Sequence, residues 1–140
     1  MKVFLGGTCN ESKWRDQIIP MLEIDYFNPV VDDWTEDDME KERQEREASD
    51  FCLYTITPRM TGVYSIAEAV DDSNKRPEKT VFVGLKEDGD EEFDKGQWKS
   101  LGQVSRMIKE NGGQVFESLK LAANYMNKKA PVKTGSVFRT

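Results

Sequence analysis

Short apolar runs alternate with longer amphipathic stretches along the chain. Five of the runs have the length and residue types of buried strands, and the stretches between them repeat apolar residues at the three- and four-residue spacing of helices. The predicted strands are 2–5, 24–27, 51–56, 80–85 and 114–116, and the predicted helices are about 11–22, 36–48, 63–74, 97–110 and 118–127. This alternation is typical of an α/β protein. We therefore predict a doubly wound, five-stranded parallel sheet with helices on both faces.

Two of the predicted helices are expected to pack differently from each other. The helix over 63–74 carries apolar residues at helical spacing, and we predict that this stripe faces the core. The stripe consists of Val63, Ile66, Ala67 and Val70. The helix over 36–48 is almost entirely charged and has little apolar face. We expect it to lie on the surface or against another subunit, and a homo-oligomer follows as a prediction.

The composition narrows the class of protein. A length of 140 residues fits one domain, which we place over 1–127, followed by a polar tail over 128–140. The formal net charge of −6 argues against a nucleic-acid polymer as partner, because phosphate contacts need an excess of Lys and Arg. The sequence has no apolar run long enough for a membrane span or a secretion signal, so we expect a cytoplasmic protein.

The absence of histidine restricts the chemistry further. It excludes a Ser-His-Asp triad, a Cys–His pair and a His-rich zinc site. The sequence contains 26 Asp and Glu residues, so carboxylates are the main candidates for acid–base or nucleophilic groups.

The first loop that could bind a ligand follows the first strand. Ligands of doubly wound sheets bind at the carboxyl ends of the strands, and glycine in such a loop lets a ligand approach the backbone closely. A simple tight turn is the alternative interpretation. The candidate binding residues in this loop are Gly6, Gly7, Thr8 and Asn10.

The loop after the second strand places a tryptophan beside two carboxylates. An aromatic face can stack on a nucleobase, and a carboxylate can accept hydrogen bonds from its edge. The alternative is a capped helix start with a packed tryptophan. The candidate binding residues here are Asn28, Pro29, Asp33 and Trp34.

Glu68 is the candidate catalytic carboxylate, although periodicity alone does not single it out. It lies away from the apolar stripe of its helix, and the helical wheel by itself favours a solvated side chain. Its position favours a catalytic role, since the helix begins where the third strand ends and Glu68 lies in its second turn. Tyr64 and Ser65 lie four and three residues earlier, so both can share its face of the helix.

Three segments of the sequence resemble the nucleoside 2-deoxyribosyltransferase-like family, in particular a small branch common in bacteria and their phages. They are Asn28-Pro29-Val30-Val31-Asp32-Asp33-Trp34, Ser49-Asp50-Phe51-Cys52-Leu53-Tyr54 and Gly62-Val63-Tyr64-Ser65-Ile66-Ala67-Glu68-Ala69. The resemblance extends over roughly residues 2–127. It implies a flavodoxin-like fold with the strand order 2-1-3-4-5. It also implies cleavage of the N-glycosidic bond of a nucleoside and a homo-oligomer with sites near subunit contacts.

The resemblance also implies roles for individual residues. Glu68 corresponds to the nucleophile, and Asp50 corresponds to the carboxylate that handles the base and its proton. The loop over 6–10 would border the sugar, and the loop over 28–34 would border the base. Thr57, at the end of the third strand, belongs to the predicted substrate-binding residues.

One position departs from the family pattern. Gly62 stands where the well-known transferases have an Asp that binds sugar hydroxyls. Either Ser65 or a neighbouring chain would have to replace that contact. The first loop also lacks the aromatic residue that orients the nucleophile, and Tyr64 is the candidate to replace it.

Three functions remain open at this point. In a transferase, Glu68 attacks C1′, the base leaves, and a second base accepts the sugar. In a hydrolase of nucleosides or nucleoside 5′-monophosphates, water is the acceptor. Gly62 favours a third function, a catalytically silent nucleotide-binding module. The expected partners are a small nucleoside or nucleotide and a free nucleobase, and the carboxylate chemistry requires neither a metal nor an organic cofactor.

Overall fold

The predicted parallel sheet is present in the computed structural model, which describes residues 1–9 and 11–129. The strands are β1 (Lys2–Gly7), β2 (Asp25–Phe27), β3 (Phe51–Ile56), β4 (Thr80–Gly84), β5 (Glu87–Asp88), β6 (Glu91–Glu92) and β7 (Gln114–Phe116). Five of them form one parallel sheet in the order β2-β1-β3-β4-β7, while β5 and β6 form a separate antiparallel hairpin. The order confirms the predicted flavodoxin-like arrangement, with β7 as the fifth strand of the sheet.

Helices connect the strands and cover both faces of the sheet. They are α1 (Trp14–Ile18), α2 (Glu36–Ala48), α3 (Tyr64–Lys75), α4 (Lys95–Glu110) and α5 (Leu119–Lys129). Side chains of α1 and α5 share one apolar cluster, and side chains of α3 and α4 share the cluster on the opposite face. The Cys52 thiol, which belongs to the second cluster, donates to the carbonyl oxygen of Arg46, and this places α2 on the same face as α3 and α4.

The position of β3 at the centre of the sheet explains why its sequence is a continuous apolar run. All six of its residues are buried, because β1 and β4 flank it and helices cover both of its faces. A parallel strand that is buried on both sides has no polar face and therefore shows no alternation. The sequence pattern 51–56 predicted this strand with its correct bounds.

The predicted core stripe of α3 is right at Ile66 and Val70, which pack against the second apolar cluster, and wrong at Val63 and Ala67. Val63 precedes the helix and is 68% exposed, and Ala67 is exposed as well. The buried residues of α3 are instead mostly polar: Glu68, Ala69, Asp72 and Ser73. The helix is rotated from the expected orientation because its inner face meets a charged side chain of α2 and a tyrosine of β3, not only apolar residues.

Other boundaries differ in smaller ways. The first helix ends after five residues and continues as a 3-10 turn over Ile19–Met21, since Pro20 cannot donate to a continuing α-helix. The acidic segment predicted as a loop contains the β5–β6 hairpin. Helix α5 extends to Lys129, two residues past the predicted domain end, and 130–140 of the predicted tail lie outside the described residues.

Gly7 closes β1 in a conformation that requires glycine. Its φ is +118°, a region that residues with a side chain rarely adopt. A Cβ at this position would lie 2.1 Å from the carbonyl oxygen of Thr55 on β3. The backbones of β1 and β3 are therefore in direct contact at the carboxyl edge of the sheet.

We expect Gly7→Ala to lower the free energy of unfolding by about 3 kcal/mol or more, because the change adds both backbone strain and a clash with a buried strand. Urea unfolding followed by circular dichroism measures the loss. Gly62→Ala is the matched control, since no described atom lies within 4 Å of the position its Cβ would take. Equal stability of Gly7→Ala and Gly62→Ala would show that β1 and β3 do not approach this closely at Gly7.

Candidate active site

The loops after β1 and β3 are joined where the sheet order reverses. The Thr8 backbone N–H donates to the Thr55 carbonyl oxygen at 2.9 Å, and the Thr57 N–H donates to Thr8 Oγ1 at 2.9 Å. Thr57 Oγ1 in turn accepts from the Arg59 N–H at 3.2 Å. The two threonine hydroxyls thus hold the loops in place at the edge where ligands of this fold class bind.

A buried arginine covers the end of β1. Strand β2 pairs with β1 only as far as Phe4. Beyond that point, Arg15 donates hydrogen bonds to the free carbonyl oxygens. Its guanidinium donates to Leu5 O at 2.9 and 3.1 Å and to Thr8 O at 2.6 Å. Burial lowers the pKa of Arg15, but an arginine keeps its proton, so this edge carries a fixed positive charge.

Glu68 points into the protein and not into solvent. Its relative exposure is 6%, and its Oε2 lies 3.7 Å from Nη1 of Arg46 on α2. Burial raises the pKa of Glu68 to about 7; Arg46 lowers it, while the charges of Glu42 and Asp72 raise it further. A carboxylate in this environment changes its protonation near neutral pH, which is typical of a functional group.

A buried ionic network holds Arg46 against α3. Asp72 is 1% exposed and accepts from Arg46 Nη2 at 2.8 Å and from Arg46 Nε at 3.0 Å. The Tyr54 hydroxyl and Arg76 Nη2 also donate to Asp72, at 2.5 and 2.6 Å. Burial would raise the pKa of Asp72, but these hydrogen bonds outweigh it and hold the pKa below its ordinary value. Asp72 is therefore ionised, and each of its two oxygens already accepts two hydrogen bonds.

Glu42, on α2, is a second carboxylate near Glu68. Trp34 Nε1, in the loop after β2, donates to Glu42 Oε2 at 3.1 Å. Burial raises the pKa of Glu42, whereas Trp34, Arg15 and Arg46 lower it. The loop after β2 is thus connected to the same cluster of charged side chains as α3.

The sequence of the chain matches one known protein family. The family described as nucleoside 2-deoxyribosyltransferase like matches residues 1–88, more than half of the chain. The chain belongs to the nucleoside 2-deoxyribosyltransferase-like family. The matched part runs from β1 to β5 and includes α3 with Glu68. No curated protein and no solved structure gave a match.

The residues predicted for the sugar side of this family's site meet at the carboxyl edge only in part. Gly6, Gly7 and Thr8 end β1 there, and Thr57 lies beside them. Asn10 lies outside the described residues. Helix α3, which carries Glu68, follows the carboxyl end of β3 and contacts β1.

The predicted residues at the start of α3 are more open to solvent. Tyr64 is the first residue of the helix and is 63% exposed, while Ser65 is half-buried. Gly62 is exposed, and none of the described atoms lies within 4 Å of the position a Cβ would take there. The place of the family's sugar-binding Asp is therefore open space among the described residues.

The residues predicted for the base side follow β2. Asn28 Oδ1 accepts from the Val30 N–H at 3.1 Å, which shapes the loop. Pro29 is half-buried and Asp33 is exposed. Trp34 is 51% exposed, and the bond to Glu42 links it to the charged cluster.

The prediction that Asp50 and Glu68 share one cleft needs correction. Asp50 precedes β3, and its Oδ2 accepts from the Lys2 backbone N–H at 2.9 Å, at the amino end of β1. The six residues of β3 separate this end from the carboxyl edge by about 20 Å. A residue before a parallel strand lies at the edge opposite to a residue that follows it, so Asp50 does not join Glu68.

Several residues of this cluster were not found from the sequence. They are Arg15, Glu42, Arg46, Tyr54 and Asp72. The signal that could have found some of them is the four-residue spacing of Glu42 and Arg46 on α2 and of Glu68 and Asp72 on α3. Two such pairs on helices that flank β3 can form one charged contact.

The β5–β6 hairpin borders the same edge. Its Asp88 accepts from the Ser12 hydroxyl at 2.6 Å and lies 3.6 Å from Nε of Arg59, which also pairs with Asp90 at 2.8 Å. The hairpin is thereby attached to the loops after β1 and β3. Within 1–9 and 11–129, no helix is both long and apolar enough to cross a membrane.

We expect Glu68→Gln to stabilise the protein at pH 8 and to leave its stability almost unchanged near pH 4. The folded pKa of Glu68, about 7, lies above the ordinary value of 4.5. Its contribution to stability is therefore full below pH 4.5 and is lost as the pH rises through about 7. Since glutamine cannot ionise, the gain at pH 8 should be about 1–3 kcal/mol in the free energy of unfolding, measured by urea titration at both pH values.

Glu78→Gln is the control, because Glu78 is an exposed glutamate outside the cluster. It should change the stability equally little at both pH values. A Glu68→Gln variant that is less stable than the wild type at pH 8 would show that the buried charge is stabilising, contrary to the expectation.

Proposed function

We propose that this protein cleaves the N-glycosidic bond of nucleosides or deoxynucleosides with Glu68 as nucleophile and transfers the sugar to a second nucleobase. The observation that carries the proposal is a buried glutamate beside an arginine, on the helix that follows the switch point of the sheet. Family membership supports the same activity.

The chemistry fits a carboxylate in this environment. A Glu68 oxygen forms a bond to C1′ while the bond from C1′ to the base nitrogen breaks, and the electron pair of that bond goes to the base. The positive charge that develops on the sugar is stabilised by the carboxylate. Attack of a second base on C1′ releases Glu68 and completes the transfer.

Arg46 has a clear part in this proposal. Held by Asp72, its guanidinium lies 3.7 Å from Glu68 and favours the ionised form that must attack the sugar. Without it, burial would keep Glu68 protonated to a higher pH. Arg46 is therefore a positioning residue of the nucleophile.

A hydrolase is the second candidate. Around Gly62, where a sugar-binding carboxylate would stand, the described residues leave open space, and this favours access of water to a glycosyl intermediate. Hydrolysis would use the same nucleophile and differ only in the acceptor.

The homo-oligomer remains a proposal. Large apolar side chains along β2, the loop that follows and the first turn of α2 are exposed, and neighbouring exposed apolar side chains commonly mark an interaction surface. They are Tyr26, Val30, Val31, Trp34 and Met39. A second copy of the chain would cover them, and light scattering measures that association. Location in the cytoplasm stays a prediction from the sequence.

We expect the wild-type protein, incubated with a mixture of deoxynucleosides and one free base, to produce the deoxynucleoside of the added base. Glu68→Ala should lower this rate by about 10³-fold or more, while nucleoside binding changes little, because a nucleophile acts mainly on the transition state. Mass spectrometry of the products and calorimetry of binding provide the two measurements.

The products also separate the candidate functions. Base release without exchange would identify a hydrolase. Binding with no base release by the wild type would identify a silent binding module. Glu78→Ala should behave like the wild type and serves as the control for the substitution itself.

A 2-fluoro-2-deoxynucleoside should leave the sugar attached to the protein. Fluorine at C2 destabilises the oxocarbenium-like transition state, so the covalent intermediate is expected to accumulate. Peptide mapping should find the added mass on the peptide that contains Glu68. An adduct on another residue would assign the nucleophile elsewhere.

A further inference from the structure

A groove lies at the carboxyl ends of β4 and β7, beside α4. The volume of this α4 groove is about 620 Å³, within the range of roughly 300–1,000 Å³ that is usual for small-molecule sites. At a strand spacing of about 4.8 Å, it lies about 10 Å along the sheet from the switch point between β1 and β3. None of the described residues predicted for the nucleoside site lines it. Its apolar lining consists of Leu85, Trp98, Leu101, Val115 and Phe116.

The indole of Trp98 forms a supported wall of the α4 groove. The buried ring of Phe93 stacks on it, with ring centroids 6.1 Å apart and an angle of 30° between the ring planes. Trp98 nevertheless remains 36% exposed. Trp14 and Trp34 each donate the indole N–H to a protein acceptor, whereas the Trp98 N–H has no acceptor among the described residues. Trp98 therefore offers a ligand both an aromatic surface and a hydrogen-bond donor.

Gly102 leaves space in the α4 groove that packing does not require. It lies midway along the 16 residues of α4, where glycine is less favourable than alanine. At Gly84, which also lines the groove, packing explains the glycine, since a Cβ would lie 3.0 Å from Cδ2 of Leu101. No described atom lies within 4 Å of the Cβ position of Gly102. Gly102 therefore does not serve the core, and its effect is to keep the groove wide.

Two carboxylates at the α4 groove have no cation beside them. Glu87 follows β4 and Glu117 follows β7, and both are exposed. Neither has an ion-pair partner in the part of the chain that the structure describes, while the nearby Lys86 lies 4.0 Å from Glu92. Free carboxylates repel a phosphate and accept hydrogen bonds from N–H groups. Together with the aromatic wall, they suit a flat ring that carries N–H donors.

We infer that the α4 groove is a second binding site of this protein, which takes a flat heteroaromatic ring with N–H donors, namely a free nucleobase. The choice of a nucleobase within this class rests on the proposed transfer reaction, which releases one free base and consumes another. A base stacked on Trp98 directs its N–H groups to Glu87 or Glu117 and fills the space beside Gly102. The site lies apart from Glu68, so a base bound there is not at the reacting atoms.

The fluorescence of Trp98 tests this inference. The sequence has three tryptophans, and in Trp34→Phe the remaining two are the buried Trp14 and the groove residue Trp98. Adenine, hypoxanthine, cytosine and thymine are each titrated into this variant. We expect at least one of the four bases to quench the emission to a saturating level. Replacing Trp98 by phenylalanine as well should remove the response.

Further substitutions in the Trp34→Phe protein locate the binding. Gly102→Leu should weaken it by about tenfold or more, because the added side chain fills the groove. Gln103→Leu, an exposed change at the next position of α4, is the matched control and should leave the affinity unchanged. Glu87→Ala combined with Glu117→Ala should weaken binding by about tenfold, since the acceptors for the N–H groups are lost. Circular dichroism checks the fold, and leucine favours a helix over glycine, so Gly102→Leu should not lower Tm.

Three results would overturn the inference. The first is the absence of saturable quenching by any of the four bases, and the second is equal affinity in Gly102→Leu and Gln103→Leu. The third is the dissociation of an oligomer in Gly102→Leu alone, measured by light scattering, which would assign the groove to a second copy of the chain. If Gly102→Leu fails to fold, the double glutamate variant decides, and unchanged binding by that variant overturns the inference.

The test of the groove is independent of the test of the proposed function. Saturable binding at Trp98 in a protein that transfers no sugar would support the second site and overturn the proposed transfer. Sugar transfer by a wild type whose Trp34→Phe variant shows no response of Trp98 would do the opposite.

Discussion

The pair formed by Arg46 and Asp72 is the interaction on which the arrangement of this site depends. Helix α2 has no buried residue, so little apolar surface attaches it to the sheet. Arg46 makes the buried part of the attachment, with two hydrogen bonds to a carboxylate that is 1% exposed, while Glu45 and the Glu47 carbonyl oxygen accept from Lys2 and Lys79. Breaking a buried pair of this kind by removing one partner commonly costs about 3–5 kcal/mol, because the other charge stays buried. The same cation also faces Glu68, so the contact that attaches α2 also sets the charge state of the candidate nucleophile.

This network changes the explanation of the glycines at the end of β1. The sequence suggested that Gly6 allows a ligand to approach the backbone. A Cβ on Gly6 would lie 2.7 Å from Cε1 of Tyr54, whose hydroxyl donates to Asp72. Gly6 therefore makes room for the tyrosine that completes the network, and Gly7 makes room for the backbone of β3. Packing alone requires both glycines, whether or not a ligand binds beside them.

The sequence predicted the sheet well because apolar runs report directly on burial. The bounds of β3 follow from its apolar run, and the strand order follows from the resemblance to flavodoxin-like sheets. The inner face of α3 could not be predicted in this way, since Glu68 and Asp72 are buried by partners on other elements, and periodicity records only apolar residues. The position of Asp50 could have been predicted from the sequence. A residue before a correctly predicted parallel strand must lie at the amino end of that strand, away from the edge where ligands bind.

For the proposed function, the charges at the carboxyl edge favour an uncharged nucleoside over a nucleoside monophosphate as substrate. Arg59 is paired with Asp88 and Asp90, and Arg15 directs its N–H groups at backbone carbonyl oxygens. A phosphate would have to displace one of these partners and would approach an acidic hairpin in a protein of net charge −6. A neutral nucleoside meets neither cost. In the proposed reaction its sugar would meet Glu68 and its base would meet Trp34, while the ion pairs that hold the loops together stay intact.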